Sequence, residues 1–505
     1  MQLPLASSAP RGAAAAASAA AGTCPRLRHI LTGTFNTLFL HLLTFDTLTK
    51  DLTVTLSVPA RGPHQYFALG GFIPELSSSS GSGSGVGSSS AAGGAAHQAS
   101  RIVYATTWSD VRELSAWSVS LVPGQEKVSL INAREILAAG SYVAVQPPPF
   151  ESRTSPAYGV KSSLQGATSS SNSSGGPSRF LYQAGGPTGE VFELDPTTGA
   201  IGVKTQQLVL LPGGEEALAG ADKSRKSLRY GAHNVDFDIN GLAYVADLGR
   251  NAILIYSRDV STGHLTLLSS NPSPASGDGP RHVVPTACGR WVFAVTEHNS
   301  FADAYRVILP SDSQSKVSDV PRLEHVQRVS LLATGADPHA YRGDTIRLSP
   351  CGGYLFATTR GMTTATKGLV TGWKVDLEDL TAPIVEESGE TDGAIVRFET
   401  PTSGGKANAW EWAPRYPLDA PHYPTSSSSS TEESTSASGP EGVVQDLAVL
   451  TDDELGYILV MQWDGRDLKE VARTQLPGVG GGESAASVGL KEGEREGASH
   501  AIWLS

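Results

Sequence analysis

The sequence predicts an all-β fold, a seven-bladed β-propeller. Three observations lead there. Short alternating runs rich in Val, Ile, Leu, Tyr and Phe are separated by Gly, Asp or Asn. Amphipathic helices of three turns are hard to find. A strand–turn–strand segment recurs as His233–Asp247, Arg281–Glu297 and Asp344–Arg360, with a weaker fourth copy at Asp446–Val460.

Each copy carries a Gly-bearing turn, and an aromatic-bearing strand follows it, as in Ala252–Tyr256, Ala304–Ile308 and Leu369–Val375. The unit is therefore a meander. The copies start at residues 233, 281 and 344, close to the 40–50 residues of a propeller blade once inserts are discounted. Low-complexity stretches at 77–100, 161–178, 425–441 and 478–499 read as solvated inserts, too poor in apolar residues to offset ordering entropy. About 400 better patterned residues remain, enough for seven or eight blades, of which seven is the expectation. A ring of blades has to be closed by pairing the two chain ends. The apolar His500–Ser505 is the natural closing strand, completing the blade begun by Arg28–Phe35 and Leu38–Phe45. The expected organisation is an Ala/Ser-rich tail over 1–26, read as disordered, and one propeller over 27–505.

Composition excludes several functions. The 505 residues hold 38 Lys and Arg against 50 Asp and Glu, a net charge of −12, with no basic stripe for a nucleic acid. No run of about 20 apolar residues exists to span a membrane. Cys24, Cys288 and Cys351 form neither a disulfide framework nor a zinc-ligand pattern, which fits a reducing, cytoplasmic setting. An organelle presequence in the tail is the alternative to that location.

Equivalent positions of successive blades converge on the propeller axis. His233, Arg281 and Asp344 begin the first strand of three copies, and Asp247, Glu297 and Arg360 end the second. Such a ring would trap anions, because guanidinium groups bind carboxylates bidentately and stay charged at any working pH. Structural roles compete with this. Arg281 with Glu297 and Asp344 with Arg360 read equally as ion pairs, His233 as a satisfied structural residue and Gly404-Gly405 as a turn. Register alone leaves catalysis and structure both open. Trp410 and Trp412 are either an inter-blade packing pair or an exposed patch for a partner.

Several strings resemble the fungal carboxy-cis,cis-muconate cyclases, seven-bladed lactonising enzymes related to the propeller-type 6-phosphogluconolactonases. They are His29–Thr34, Gln146-Pro-Pro-Pro-Phe150, the His233 segment, Gly277-Asp-Gly-Pro-Arg281, Tyr341-Arg-Gly-Asp344, Ala357–Arg360, Thr400-Pro-Thr-Ser-Gly-Gly405 with Asn408-Ala409, and Ala501-Ile-Trp503. The resemblance implies a site of His233, Arg281, Glu297 and Arg360, with no cofactor and no metal. It implies lactonisation of 3-carboxy-cis,cis-muconate in aromatic-acid breakdown by the β-ketoadipate route. Arg281 and Arg360 would clamp carboxylates, His233 would be the general acid, and Glu297 would raise its pKa, the two roles swapping if Glu297 lies away from both guanidiniums. Two departures stand out: Lys406 where the family has His, and His500 where it has Asn. The expected partners are a small polycarboxylate and, at most, further copies of the chain, with neither nucleic acid nor membrane. The rivals are a 6-phosphogluconolactonase-type hydrolase and a non-catalytic propeller scaffold.

Overall fold

The computed structural model describes residues 26–74, 99–108, 111–145, 179–310, 319–387, 392–403, 405–415, 445–477 and 496–504. The predicted tail lies outside them up to residue 25, as does Gln146–Phe150 and most of each predicted insert. Two insert boundaries shift, because residues 99–100 and 498–499 already belong to strands.

Seven antiparallel sheets make seven blades. Their innermost strands, in blade order, are Ala498–Trp503, His64–Pro74, Tyr142–Val145, Ala232–Phe237, Pro280–Pro285, Tyr341–Leu348 and Trp410–Trp412. The first blade closes the ring: Ala498–Trp503 pairs antiparallel with Leu27–Thr34, placing Leu31 opposite Ile502. The chain end thus joins the first strand of the chain, as the apolar pattern of both segments requires.

The repeat copies match this plan in three cases of four. His233–Asp247, Arg281–Glu297 and Asp344–Arg360 each span the innermost strand and its neighbour. The turns between these strands are held by short polar side chains, which is why they read so clearly. Asp238 accepts from the backbone N–H of Asn240 and Leu242 at 2.8 and 2.9 Å, and Tyr354 N–H donates to Ser349 at 3.1 Å. The fourth copy is out of register by one strand. Asp446–Val460 lies on the second and third strands of blade seven, because residues 416–444 separate it from the true innermost strand Trp410–Trp412.

Blades pack through aromatic and branched residues. Phe293 and Val295 of blade five meet Ile346, Leu355 and Trp373 of blade six. Trp410 is fully buried with its ring 5.4 Å from that of Phe356, and Trp412 meets Trp410 edge-on at 5.1 Å. The Trp pair is therefore inter-blade packing. Burying each such side chain contributes about 1.5–3 kcal/mol.

Candidate active site

The first strands of blades four, five and six enter the ring at one mouth and deliver His233, Arg281 and Asp344 there. The following strands end at the same mouth with Glu297 and Arg360. Two glycines make the convergence feasible. A Cβ on Gly343 would lie 2.2 Å from the carbonyl oxygen of Thr296, so only glycine lets blade six press against blade five. There Gly343 N–H donates to Glu297 O at 3.0 Å. A Cβ on Gly405 would lie 1.4 Å from Asp453 Oδ1, the atom that accepts from Lys406 N–H at 2.7 Å. That contact fixes the loop carrying Lys406, and it explains the Thr400–Gly405 string. In the Gly277–Arg281 string the buried Asp278 takes Arg328 at 2.7 Å and Asn299 at 2.9 Å, bracing the turn before Arg281.

Glu297 is the hub. Its Oε1 accepts from Arg342 at 2.9 Å and Arg360 at 3.1 Å, and its Oε2 lies 3.2 Å from Arg281 Nε. Arg281 also pairs with Asp344, whose other oxygen accepts from Asn408 N–H at 2.6 Å. The predicted Asp344–Arg360 pair is replaced by contacts crossing from blade five to blade six. Asp247 does not join the ring: its carboxylate accepts from Arg250 N–H at 3.0 Å and closes a turn.

Burial alone would raise the Glu297 carboxyl, but Arg360, Arg281 and Arg342 outweigh it and hold it at about 2. Glu297 is therefore a carboxylate at neutral pH. His233 departs from expectation. Burial first, then Arg281 and Arg360, push its pKa well below the ordinary value, and Glu297 does not offset them. The unliganded ring is a neutral imidazole with Nδ1 buried and unpartnered among the described residues.

A small cavity of about 90 Å3 lies over these groups, lined by His233, Arg281, Glu297, Arg360, Lys406 and Trp108, with Leu228, Arg225 and Arg229 from the connection between blades three and four. Among the described residues, and counting Arg342, six cationic side chains surround it against the carboxylates of Glu297, Asp344 and Asp453. This surplus sits in a chain of net charge −12. A larger cavity of about 580 Å3 opens at the opposite mouth. There Arg347 pairs with Glu411 at 2.9 Å, and Arg101 and Asp236 in the same lining leave no cationic surplus, so size and chemistry disagree and we follow the chemistry. His500 belongs to that far mouth, stacked on Tyr66 at 3.9 Å and 3.6 Å from Glu411. Of the two departures from the family pattern, only Lys406 therefore touches the anion cleft.

Residues 165–392 match the family model described as lactonase, 7-bladed beta-propeller. Over these residues the chain is similar to the seven-bladed lactonase propellers. Muconate cycloisomerase 1 of Cutaneotrichosporon cutaneum is 28% identical over 441 residues, covering 87% of this chain and 91% of that protein. Carboxy-cis,cis-muconate cyclase of Neurospora crassa is 26% identical over 263 residues, 50% of this chain and 59% of the relative. A periplasmic gluconolactonase of Pseudomonas aeruginosa shares the fold at 13% identity, with a TM-score of 0.57 over 95% of this chain and 99% of that one. A 6-phosphogluconolactonase, described as putative, of Bacteroides fragilis does so at 14% identity, with a TM-score of 0.53 over 95% and 98%. Within this propeller, sequence register located His233, Arg281, Glu297, Asp344 and Arg360 but missed Arg342, Trp108, Arg225 and Arg229. Trp108, Arg225 and Arg229 lie on connections that do not repeat, although the basic run Lys223–Arg229 is a visible signal for two of them, while Arg342 lies on the innermost strand of blade six and pairs with Glu297 only through the approach of two blades.

Proposed function

We propose that this protein is a cofactor-free intramolecular lyase that closes 3-carboxy-cis,cis-muconate to 3-carboxymuconolactone, serving aromatic-acid catabolism in the cytoplasm. The observation that carries the reading is the cationic surplus around a neutral imidazole, and the names of the two muconate-cyclising relatives support it.

In the reaction a carboxylate oxygen of the substrate bonds to an alkene carbon. The π pair moves to the neighbouring carbon, next to a second carboxylate, and that carbon takes a proton. No atom leaves, and one proton is consumed as a carboxylate becomes an ester. Arg281 and Arg360 hold the carboxylates and spread the enolate-like charge that develops as the ring closes. Glu297 acts as their fixed counter-ion and aligns both guanidiniums, since its carboxylate is too acidic to deliver a proton at neutral pH. His233 delivers the proton. Its ring is neutral in the empty cleft, so the substrate's own carboxylates have to offset Arg281 and Arg360 and charge it.

The test is a weakly buffered assay that follows diene absorbance and pH together. Lactonisation of the tricarboxylate removes the absorbance with uptake of one proton per turnover, and His233→Asn abolishes both. Hydrolysis of 6-phosphogluconolactone, the sister activity, would release a proton instead. Turnover of that ester with none of the diene would overturn the reading.

A further inference from the structure

We propose that Arg225 and Arg229 form a second anion subsite, which takes a substrate carboxylate remote from the reacting one and makes the site selective for polycarboxylates. The inference rests on the cleft being a polycarboxylate site.

Residues 210–231 join the outermost strand of blade three to the innermost strand of blade four and cross the mouth as a strap. The strap carries a short helix, Gly214–Gly220, and a tight turn, Arg225–Arg229. It is pinned by Leu228, which is buried with Phe35, Trp108, Ala139 and Ala407 from the rims of other blades. Arg225 is held over the Trp108 ring at 4.0 Å. An aromatic face keeps a guanidinium in place without neutralising it. Lys223, by contrast, is used up on the carbonyls of Leu218 and Ala221.

The two cationic walls differ in kind. Arg281, Arg342 and Arg360 share Glu297 and Asp344, so part of their charge is answered within the protein. Neither Arg225 nor Arg229 has a carboxylate partner among the described residues, yet both line the same cavity. Two guanidiniums with one aromatic support and no counter-ion call for an anion from outside. A ligand with two carboxylates is held by Arg281 and Arg360 on the Glu297 wall alone, whereas the third carboxylate of a tricarboxylate reaches the strap.

The probes are propane-1,2,3-tricarboxylate and pentanedioate, unreactive acids that differ by the central carboxylate. Binding is measured by calorimetry at fixed ionic strength with wild type, Arg225→Gln, Arg229→Gln and, as a control on the same turn outside the cavity lining, Lys226→Gln. Wild type should prefer the tricarboxylate by about tenfold or more, the worth of one charge-assisted contact. Each Arg variant should lose most of that preference while binding pentanedioate as before, and Lys226→Gln should keep it. Equal affinities in wild type, a preference kept in both Arg variants, or the same loss in Lys226→Gln would overturn the proposal. Turnover of 3-carboxy-cis,cis-muconate is scored separately. A strap-dependent preference without turnover would overturn the lyase reading and leave the subsite standing, and turnover without the preference would do the reverse.

Discussion

Seating a polycarboxylate in the cleft should bring a proton with it onto His233. In the empty site, burial and the charges of Arg281 and Arg360 keep the ring neutral. A ligand carboxylate about 5 Å from an imidazole stabilises its charged form by about 3 kcal/mol at an effective dielectric constant of about 20. That is more than a hundredfold towards imidazolium, and a second carboxylate compounds it. Calorimetry of propane-1,2,3-tricarboxylate binding at pH 7, in buffers of different ionisation enthalpy, reads the proton count directly. Wild type should take up close to one proton, and His233→Asn close to none. The sign also fixes the pH profile. Because the liganded ring binds a proton that the free ring does not, affinity should fall as pH rises, approaching tenfold per unit. No uptake in wild type, or equal uptake in the variant, would refute the reasoning and leave His233 without the acid role.

Three further outcomes are expected. Glu297→Gln leaves three guanidiniums without their shared counter-ion and should destabilise the fold by about 3–5 kcal/mol in denaturant titrations. The carboxyl is held at about 2 against 4.5 in a free chain, so the stability it supplies is complete above about pH 4.5 and is lost as pH falls towards 2; acid titration of the variant should lack that component. Gly405→Ala drives a methyl into Asp453 and should lower the melting temperature and raise KM, since the Lys406 loop is displaced. Raising salt from 0.05 to 0.5 M should raise KM several-fold and leave kcat nearly unchanged, because screening weakens capture of the polyanion more than the enclosed chemistry.

Much of this architecture was readable in the sequence because the blades repeat. Asp238, Thr286 and Ser349 close equivalent turns, so the strands on either side of each align and His233, Arg281, Glu297 and Arg360 fall into register. Register finds residues that point at the axis, and it also overcounts: Asp247 occupies an equivalent place and closes a turn instead. It is blind to what comes from outside the repeat. Arg342 is two residues from Asp344, yet its pairing with Glu297 depends on how closely Gly343 lets two blades approach. Arg225 and Trp108 are 117 positions apart on two unrelated connections, and only the fold brings them together. The protonation state of His233 is hidden from the sequence for a related reason: register shows one Glu to raise its pKa, whereas the structure adds burial and the field of two guanidiniums.

The two mouths of the ring differ in charge balance, and it is this balance, not volume, that directs the assignment we propose. His233, His282, Tyr142, Tyr66 and His500 form a continuous series of ring contacts down the axis, at 5.4, 5.4, 4.0 and 3.9 Å, and divide the channel. Below them Arg347 is answered by Glu411, and the Tyr66 hydroxyl bonds to the same guanidinium, so an entering anion would have to break a buried pair. Breaking such a pair costs several kcal/mol, more than one new carboxylate contact returns. Above them the balance is open: Glu297 and Asp344 hold the deep arginines in place without cancelling them, and the strap adds two cations with no carboxylate partner among the described residues. An anion entering there completes a network instead of disrupting one. On this balance we assign the proposed substrate to the smaller cavity.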